Sequence, residues 1–259
     1  MAINTHFENL ELAKKDSINL VSIMDIDFIN MSKEAFLGEY LYPTVKNRQK
    51  CFIVTANPEI VMKTRENTKY KSIVQSADYV LPDGAGVVMA SKYMKQPIEE
   101  RIAGFDLMQD LLAFANQEGL SCFFLGGKED VNEKAVHKIK KRYPNLKIAG
   151  SHHGYFAMED ELVVKMVKDS KPDMVFVALG APRQEEWIVQ YKDEFSKGLF
   201  MGVGGSFDVI AGEVKRAPDK WIKLNLEWLY RLLKQPFRWK RILKAVGFMF
   251  LVLINGRKK

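Results

Sequence analysis

Short, mainly apolar runs that alternate with longer stretches of helical period constrain this chain more than any other feature. The runs are 21–29 (VSIMDIDFI), 51–56 (CFIVTA), 78–82 (DYVLP), 121–127 (SCFFLGG), 146–151 (LKIAGS), 173–180 (DMVFVALG) and 199–205 (LFMGVGG). Between them the pattern predicts helices over 58–66, 84–94, 105–118, 129–142, 159–170 and 182–195. Strands that are apolar on both sides must be covered on both sides, and strands separated by helices pair in parallel. The expectation is an α/β, Rossmann-like fold, a mainly parallel sheet covered by helices. After about Glu213 the strand signals stop, which divides the chain into an α/β core over 1–213 and a helical appendage over 214–259.

Charge divides the chain at the same place. Residues 215–259 hold 13 Lys/Arg against 2 Asp/Glu, and the rest holds 26 against 30, so the net charge of +7 belongs to the tail. A basic tail on a mildly acidic body suits an anionic surface, either membrane or nucleic acid. The apolar run Ala245–Ile254 is half of what a spanning helix needs and is expected to lie in a membrane interface. Pro236 is expected to split the tail into two helices, with Arg231, Lys234, Arg238, Arg241 and Lys244 forming a basic stripe. The opening residues lack the apolar core of a signal peptide, so the expected location is cytoplasmic. Cys51 and Cys122 read as buried thiols of a reducing compartment.

Ligands of parallel sheets bind outside the carboxyl ends of the strands, and the polar clusters fall there. Thr55 and Asn57 close one strand, two residues apart and so on one side of an extended backbone. Pro58 suits the first turn of a helix, which leaves Asn57 two readings: a helix N-cap, or a group that recognises sugar or phosphate. Asp83, in Leu81-Pro82-Asp83-Gly84-Ala85-Gly86, reads either as a turn residue capping the next helix or as a general base for a sugar hydroxyl. Arg101 precedes a helix start and suits either a diphosphate or a surface ion pair.

Glycine turns follow three later strands. They are Gly126-Gly127, Gly180 with Gln184 beyond it, and Gly202-Val-Gly204-Gly205 with Asp208 in the helix that follows. Glycines let backbone amides approach phosphates, so three such turns along one sheet edge point to a nucleotide. The dinucleotide fingerprint and the GxxxxGK[ST] loop are both absent. Asp25-Ile26-Asp27 spells a metal-holding Asp-x-Asp, but it sits inside a strand-like run and is read as structural. No metal and no cofactor is expected.

Taken in order, T-A-N-P-E, P-D-G-A-G, R-I-A-G-F-D-L, F-L-G-G, G-A-P-R-Q-E-E-W, G-V-G-G-S-F-D, R-A-P, E-W-L-Y-R-L and Q-P-x-R resemble the WecG/TagA/CpsF glycosyltransferase family (glycosyltransferase family 26). Its branch in wall teichoic acid linkage-unit synthesis is the nearest likeness. The resemblance implies an inverting, metal-independent enzyme. It would move N-acetylmannosamine from UDP-ManNAc to undecaprenyl-diphosphate-linked GlcNAc in β-1,4 linkage. A relative's donor such as UDP-ManNAcA is the alternative. It further implies Asp83 as base, Thr55, Asn57 and Arg101 in the catalytic pocket, and Gln184 near the substrates. Arg231, Arg238 or Arg241 would meet the acceptor diphosphate, with the protein peripheral on the inner face of the membrane. Two rival readings are a nucleic-acid-binding module using the basic tail and a membrane-docked nucleotide-binding regulator without turnover. The former would leave the glycine-lined edge idle. A homo-oligomer is compatible with the sequence.

Overall fold

The computed structural model describes residues 18–224, 226–234 and 239–255. Strands β1 (Leu20–Ile23) and β2 (Ile26–Ile29) form an antiparallel hairpin with Ile23 paired to Ile26. The run 21–29, read from sequence as one strand, is therefore folded back on itself. Its two-residue turn puts Met24 and Asp25 at φ +52° and +62°, the left-handed pair that matches the twist of a tight hairpin. Helices α1 (Lys33–Phe36) and α2 (Tyr42–Lys46) follow, joined by a π-wound turn over Leu37–Leu41. Ser32 caps α1 by accepting from the Ala35 N–H at 3.2 Å.

The order then becomes β3 (Lys50–Ala56), α3 (Pro58–Glu66), α4 (Thr68–Gln75), β4 (Tyr79–Pro82), α5 (Ala85–Tyr93), α6 (Gly104–Glu118), β5 (Ser121–Gly126) and α7 (Glu129–Arg142). It continues through β6 (Lys147–His152), α8 (Glu161–Asp169), β7 (Met174–Ala178), α9 (Arg183–Tyr191), β8 (Gly198–Gly202) and α10 (Ser206–Ala211). The chain ends in α11 (Asp219–Lys223), α12 (Glu227–Lys234) and α13 (Trp239–Asn255). Six of the seven apolar runs became the strands of one parallel sheet in the order β4-β3-β8-β7-β5-β6.

Alternation along each strand feeds two cores. Cys51, Ile53, Phe124, Phe176 and Met201 pack under α6, α7 and α10. Phe52, Val54, Phe123, Val175 and Phe200 pack under α3, α5, α8 and α9. Since β3 and β8 are neighbours but send their helices to opposite faces, the chain reverses between them. In open parallel sheets, ligands bind at the carboxyl ends of such a strand pair.

The last helix belongs to this second core as well. Phe248 and Val252 are buried there, each stabilising the docked helix by about 1.5–3 kcal/mol. The Lys244 ammonium meets Glu66 at 3.0 Å, and the Tyr93 hydroxyl donates to the Leu253 carbonyl at 3.5 Å. So α13 lies on α3 and α5, the helices that begin just after Asn57 and Asp83.

Candidate active site

The register of β3 with β4 pairs Thr55 with Leu81 and Ala56 with Pro82. One residue further on, the Asp83 N–H donates to the Ala56 carbonyl at 3.1 Å, which sets Asp83 beside Asn57. Asn57 is an N-cap: its Oδ1 accepts from the Ile60 N–H at 3.1 Å. Asp83 does not cap the helix that follows it. Gly84, at φ +89°, stands at that position and turns the chain away. The Asp83 carboxylate instead accepts a long hydrogen bond, 3.4 Å, from the N–H of Gly104 at the start of α6.

Two close approaches hold this corner together. A methyl group built on Gly104 would lie 2.7 Å from Thr55 Oγ1, and one on Gly86 would lie 2.7 Å from the Pro58 ring. Glycine at both positions lets α6 and α5 start directly against the end of β3. Ile102 donates its N–H to the Pro82 carbonyl at 2.9 Å, which places the half-buried Arg101 at the same corner. Thr55, Asn57, Asp83 and Arg101, separated by up to 46 positions in sequence, are thus brought together.

The glycine turns lie along the rest of the edge. Gly127 donates to the Ala178 carbonyl at 2.9 Å, and Gly154 donates to the Gly127 carbonyl at 2.8 Å. Gly126, Gly127, Gly180 and Gly204 all have positive φ. Gly180 and Gly204 face open space, and Gly205 is exposed. Asp208 sits half-buried in the first turn of α10.

Sequence reasoning missed what fixes these turns. Buried Asn132 on α7 donates its amide to the carbonyls of Gly126 at 2.8 Å, Phe124 at 3.1 Å and His152 at 3.2 Å, tying β5 to β6. The signal was available, because Asn132 is a polar residue in the helical stripe of Val131, Ala135 and Ile139. Gln184 is 5% exposed, with Nε2 donating to Glu185 Oε1 at 2.6 Å and Oε1 accepting from the Gly204 N–H at 3.1 Å. Glu185 is 1% exposed and also accepts from the Tyr70 hydroxyl at 3.2 Å. Burial pushes its carboxyl up to about 7, against the hydrogen bonds from Gln184 and Tyr70 and the nearby Lys63 charge. On α6, Asp106 takes both ends of the Arg216 guanidinium, at 2.7 and 2.8 Å, while Arg216 stacks over Phe105. That pair ties the segment entering α11 to the helix that meets Asp83.

Asp25 and Asp27 lie elsewhere. Asp25 pairs with Lys71 at 2.9 Å in the hairpin turn, and Asp27 lines a cavity of 410 Å³ beside the start of β4. Of Arg231 and Arg241 only the helical backbone is described, and Arg238 lies outside the described residues. Large apolar residues of α13, Leu243, Val246 and Phe250, face outward with exposures of 58–61%. The run Ala245–Ile254, expected from sequence to lie in a membrane interface, also turns Phe248 and Val252 into the core. Among the described residues no helix is long and apolar enough to cross a membrane.

The chain is 41% identical over 235 residues to an N-acetylglucosaminyldiphosphoundecaprenol N-acetyl-beta-D-mannosaminyltransferase of Bacillus spizizenii, covering 91% of each chain. It is 41% identical to the protein of that name from Bacillus subtilis, over 92% of this chain and 93% of the relative. A Staphylococcus aureus protein of the same name is 40% identical, over 92% and 94%. Residues 21–259 match the profile described as the glycosyl transferase WecG/TagA/CpsF family. With that profile covering residues 21–259 and relatives 40–41% identical over more than nine tenths of the chain, the chain belongs to the WecG/TagA/CpsF family of glycosyl transferases.

Proposed function

We propose that this protein transfers N-acetylmannosamine from UDP-ManNAc to undecaprenyl-diphosphate-linked GlcNAc, making the β-1,4 linkage of the wall teichoic acid linkage unit. The observation that carries the mechanism is the position of Asp83. Its carboxylate stands where the ends of β3 and β4 meet the start of α6. In this reading Asp83 takes the proton of the GlcNAc 4-hydroxyl as that oxygen attacks the anomeric carbon. The bond to the diphosphate breaks on the opposite side, UDP leaves, and the anomeric configuration inverts. Thr55 and Asn57 shape the pocket. Arg101 and the turns at Gly126, Gly180 and Gly204 meet the negative charge of the donor. No step is assigned to a metal.

The acceptor is a lipid, and the surface of the protein supports docking at a membrane. Trp239, Leu243, Val246, Phe250 and Leu253 recur at spacings of four and three, and all are exposed. Such a stripe on a helix about 25 Å long suits an orientation parallel to the membrane plane. The 13 basic residues after Val214 suit an anionic inner leaflet. Arg231, Arg238 and Arg241 are proposed to meet the acceptor diphosphate, so residues 214–259 both anchor the enzyme and complete its pocket.

UDP release from UDP-ManNAc, UDP-GlcNAc and UDP-ManNAcA, each with a soluble GlcNAc-diphospholipid, tests the reading. Turnover with UDP-ManNAc alone is expected, and Asp83→Asn should lower it by about 10²–10⁴-fold with the fold intact by circular dichroism. Near-normal turnover in that variant removes Asp83 as base, and preference for the uronate donor reassigns the sugar.

A further inference from the structure

We infer that Glu185 is a positioning residue for the nucleotide seat: through Gln184 it sets the backbone of the Gly202–Gly205 turn, and it does not touch substrate. This rests on the reading of that turn as part of the UDP site.

The geometry is a chain of hydrogen bonds without slack. Tyr70 on α4 donates to one oxygen of Glu185, and the Gln184 amide donates to the other. The remaining Gln184 oxygen accepts from the Gly204 N–H. Partner chemistry fixes the orientation of the amide, because an N–H needs the oxygen and a carboxylate needs the NH₂. A second, independent observation is steric. A methyl group on Gly202 would lie 2.5 Å from Gln184 Nε2, so the amide lies directly over the end of β8. Gln184 and Glu185 are both buried, whereas Gly204 and Gly205 are accessible at the edge. A buried pair that grips an accessible glycine turn shapes that turn from behind. Gln184, expected from sequence to meet substrate, is on this reading the link between Glu185 and the turn.

Around this chain the wall is also tied down. Lys63 on α3 donates to the Ala181 carbonyl at 2.8 Å and pairs with Glu59 at 3.4 Å. The loop after β7 and the turn after β8 are therefore both held from α3 and α4. Losing the carboxylate would leave the Gln184 and Tyr70 donors unmet in a dry site and let the amide swing off Gly204.

The test measures UDP binding by calorimetry and donor KM and kcat for the full-length protein. Glu185→Ala is expected to weaken UDP binding and raise donor KM roughly 5- to 100-fold, with kcat within about threefold. Glu185→Gln keeps an acceptor for Gln184 and offers an N–H to which the Tyr70 oxygen can act as acceptor, and should restore both to within about threefold of the unmutated protein. Gln184→Ala should match Glu185→Ala, and the double variant should be no worse than Gln184→Ala alone, since both act on one link. Additive losses, or Glu185→Ala with unaltered UDP affinity, overturn the inference. So does a Glu185→Gln protein that is folded yet as impaired as the alanine variant. Failure of the unmutated protein to bind UDP would overturn the nucleotide reading of the turn itself, a result distinguishable from all of these.

Discussion

Gly104 and Thr55 are in direct contact, so close that a single added methyl group on Gly104 would lie 2.7 Å from the threonine hydroxyl oxygen. The start of α6 is pressed against the end of β3, and its first N–H reaches Asp83. Gly104→Ala must therefore push α6 away from the carboxylate it contacts. We expect at least about tenfold lower turnover, with a stability loss of about 1–3 kcal/mol from overpacking. Activity assays beside thermal melts check this. Unchanged turnover would mean that the contact has no bearing on the site.

Gly126 makes a stricter demand. Its φ is +119°, and a methyl group there would lie 2.4 Å from the Ala178 carbonyl oxygen, against backbone that has no room to move. Gly126→Ala combines strain with overpacking between β5 and β7, and should cost about 2–4 kcal/mol. Urea unfolding gives the value directly, and a loss below 0.5 kcal/mol would contradict the packing described.

Glu185 gives stability a pH dependence of defined sign. Its carboxyl is raised from an ordinary value of 4.5 to about 7, so between these values the folded protein binds a proton that the unfolded chain does not. Stability from this group is fully present below pH 4.5 and is lost as pH rises through 7. Glu185→Gln removes the titration. Its unfolding free energy should match that of the unmutated protein near pH 4.5 and exceed it at pH 8, by an amount on the order of 3 kcal/mol. Melts across this range check it, and a difference that does not vary with pH would refute it.

The outward stripe of α13 separates docking from folding. Val246 and Phe250 are about 60% exposed, so replacing both by Asp should change stability by roughly 0.5 kcal/mol or less per site. Sedimentation with anionic liposomes should show binding reduced at least about tenfold, while UDP binding stays intact. Equal sedimentation would place the membrane contact elsewhere.

The sequence by itself determined the layered fold. Apolar runs such as Cys51–Val54 and Met174–Ala178 have one stable environment, the middle of a sheet covered on both faces, and the predicted helix 58–66 matches Pro58–Glu66 residue for residue. Local chemistry also announced the Asn57 cap. Other features depended on contacts remote in sequence. Val21–Ile29 looked like one strand because apolar periodicity does not register a turn made by Met24 and Asp25, residues without glycine's usual signature. Asp83 could be read locally as the cap of its own helix or as a base, yet its carboxylate accepts from the N–H of Gly104, 21 residues later. Glu185, inside the predicted helix 182–195 and without an assigned role, is buried between Tyr70 and Gln184. Burial of apolar strands is a local property that composition encodes. The placement of a carboxylate among partners is set by which strand ends meet, and only the packed sheet decides that.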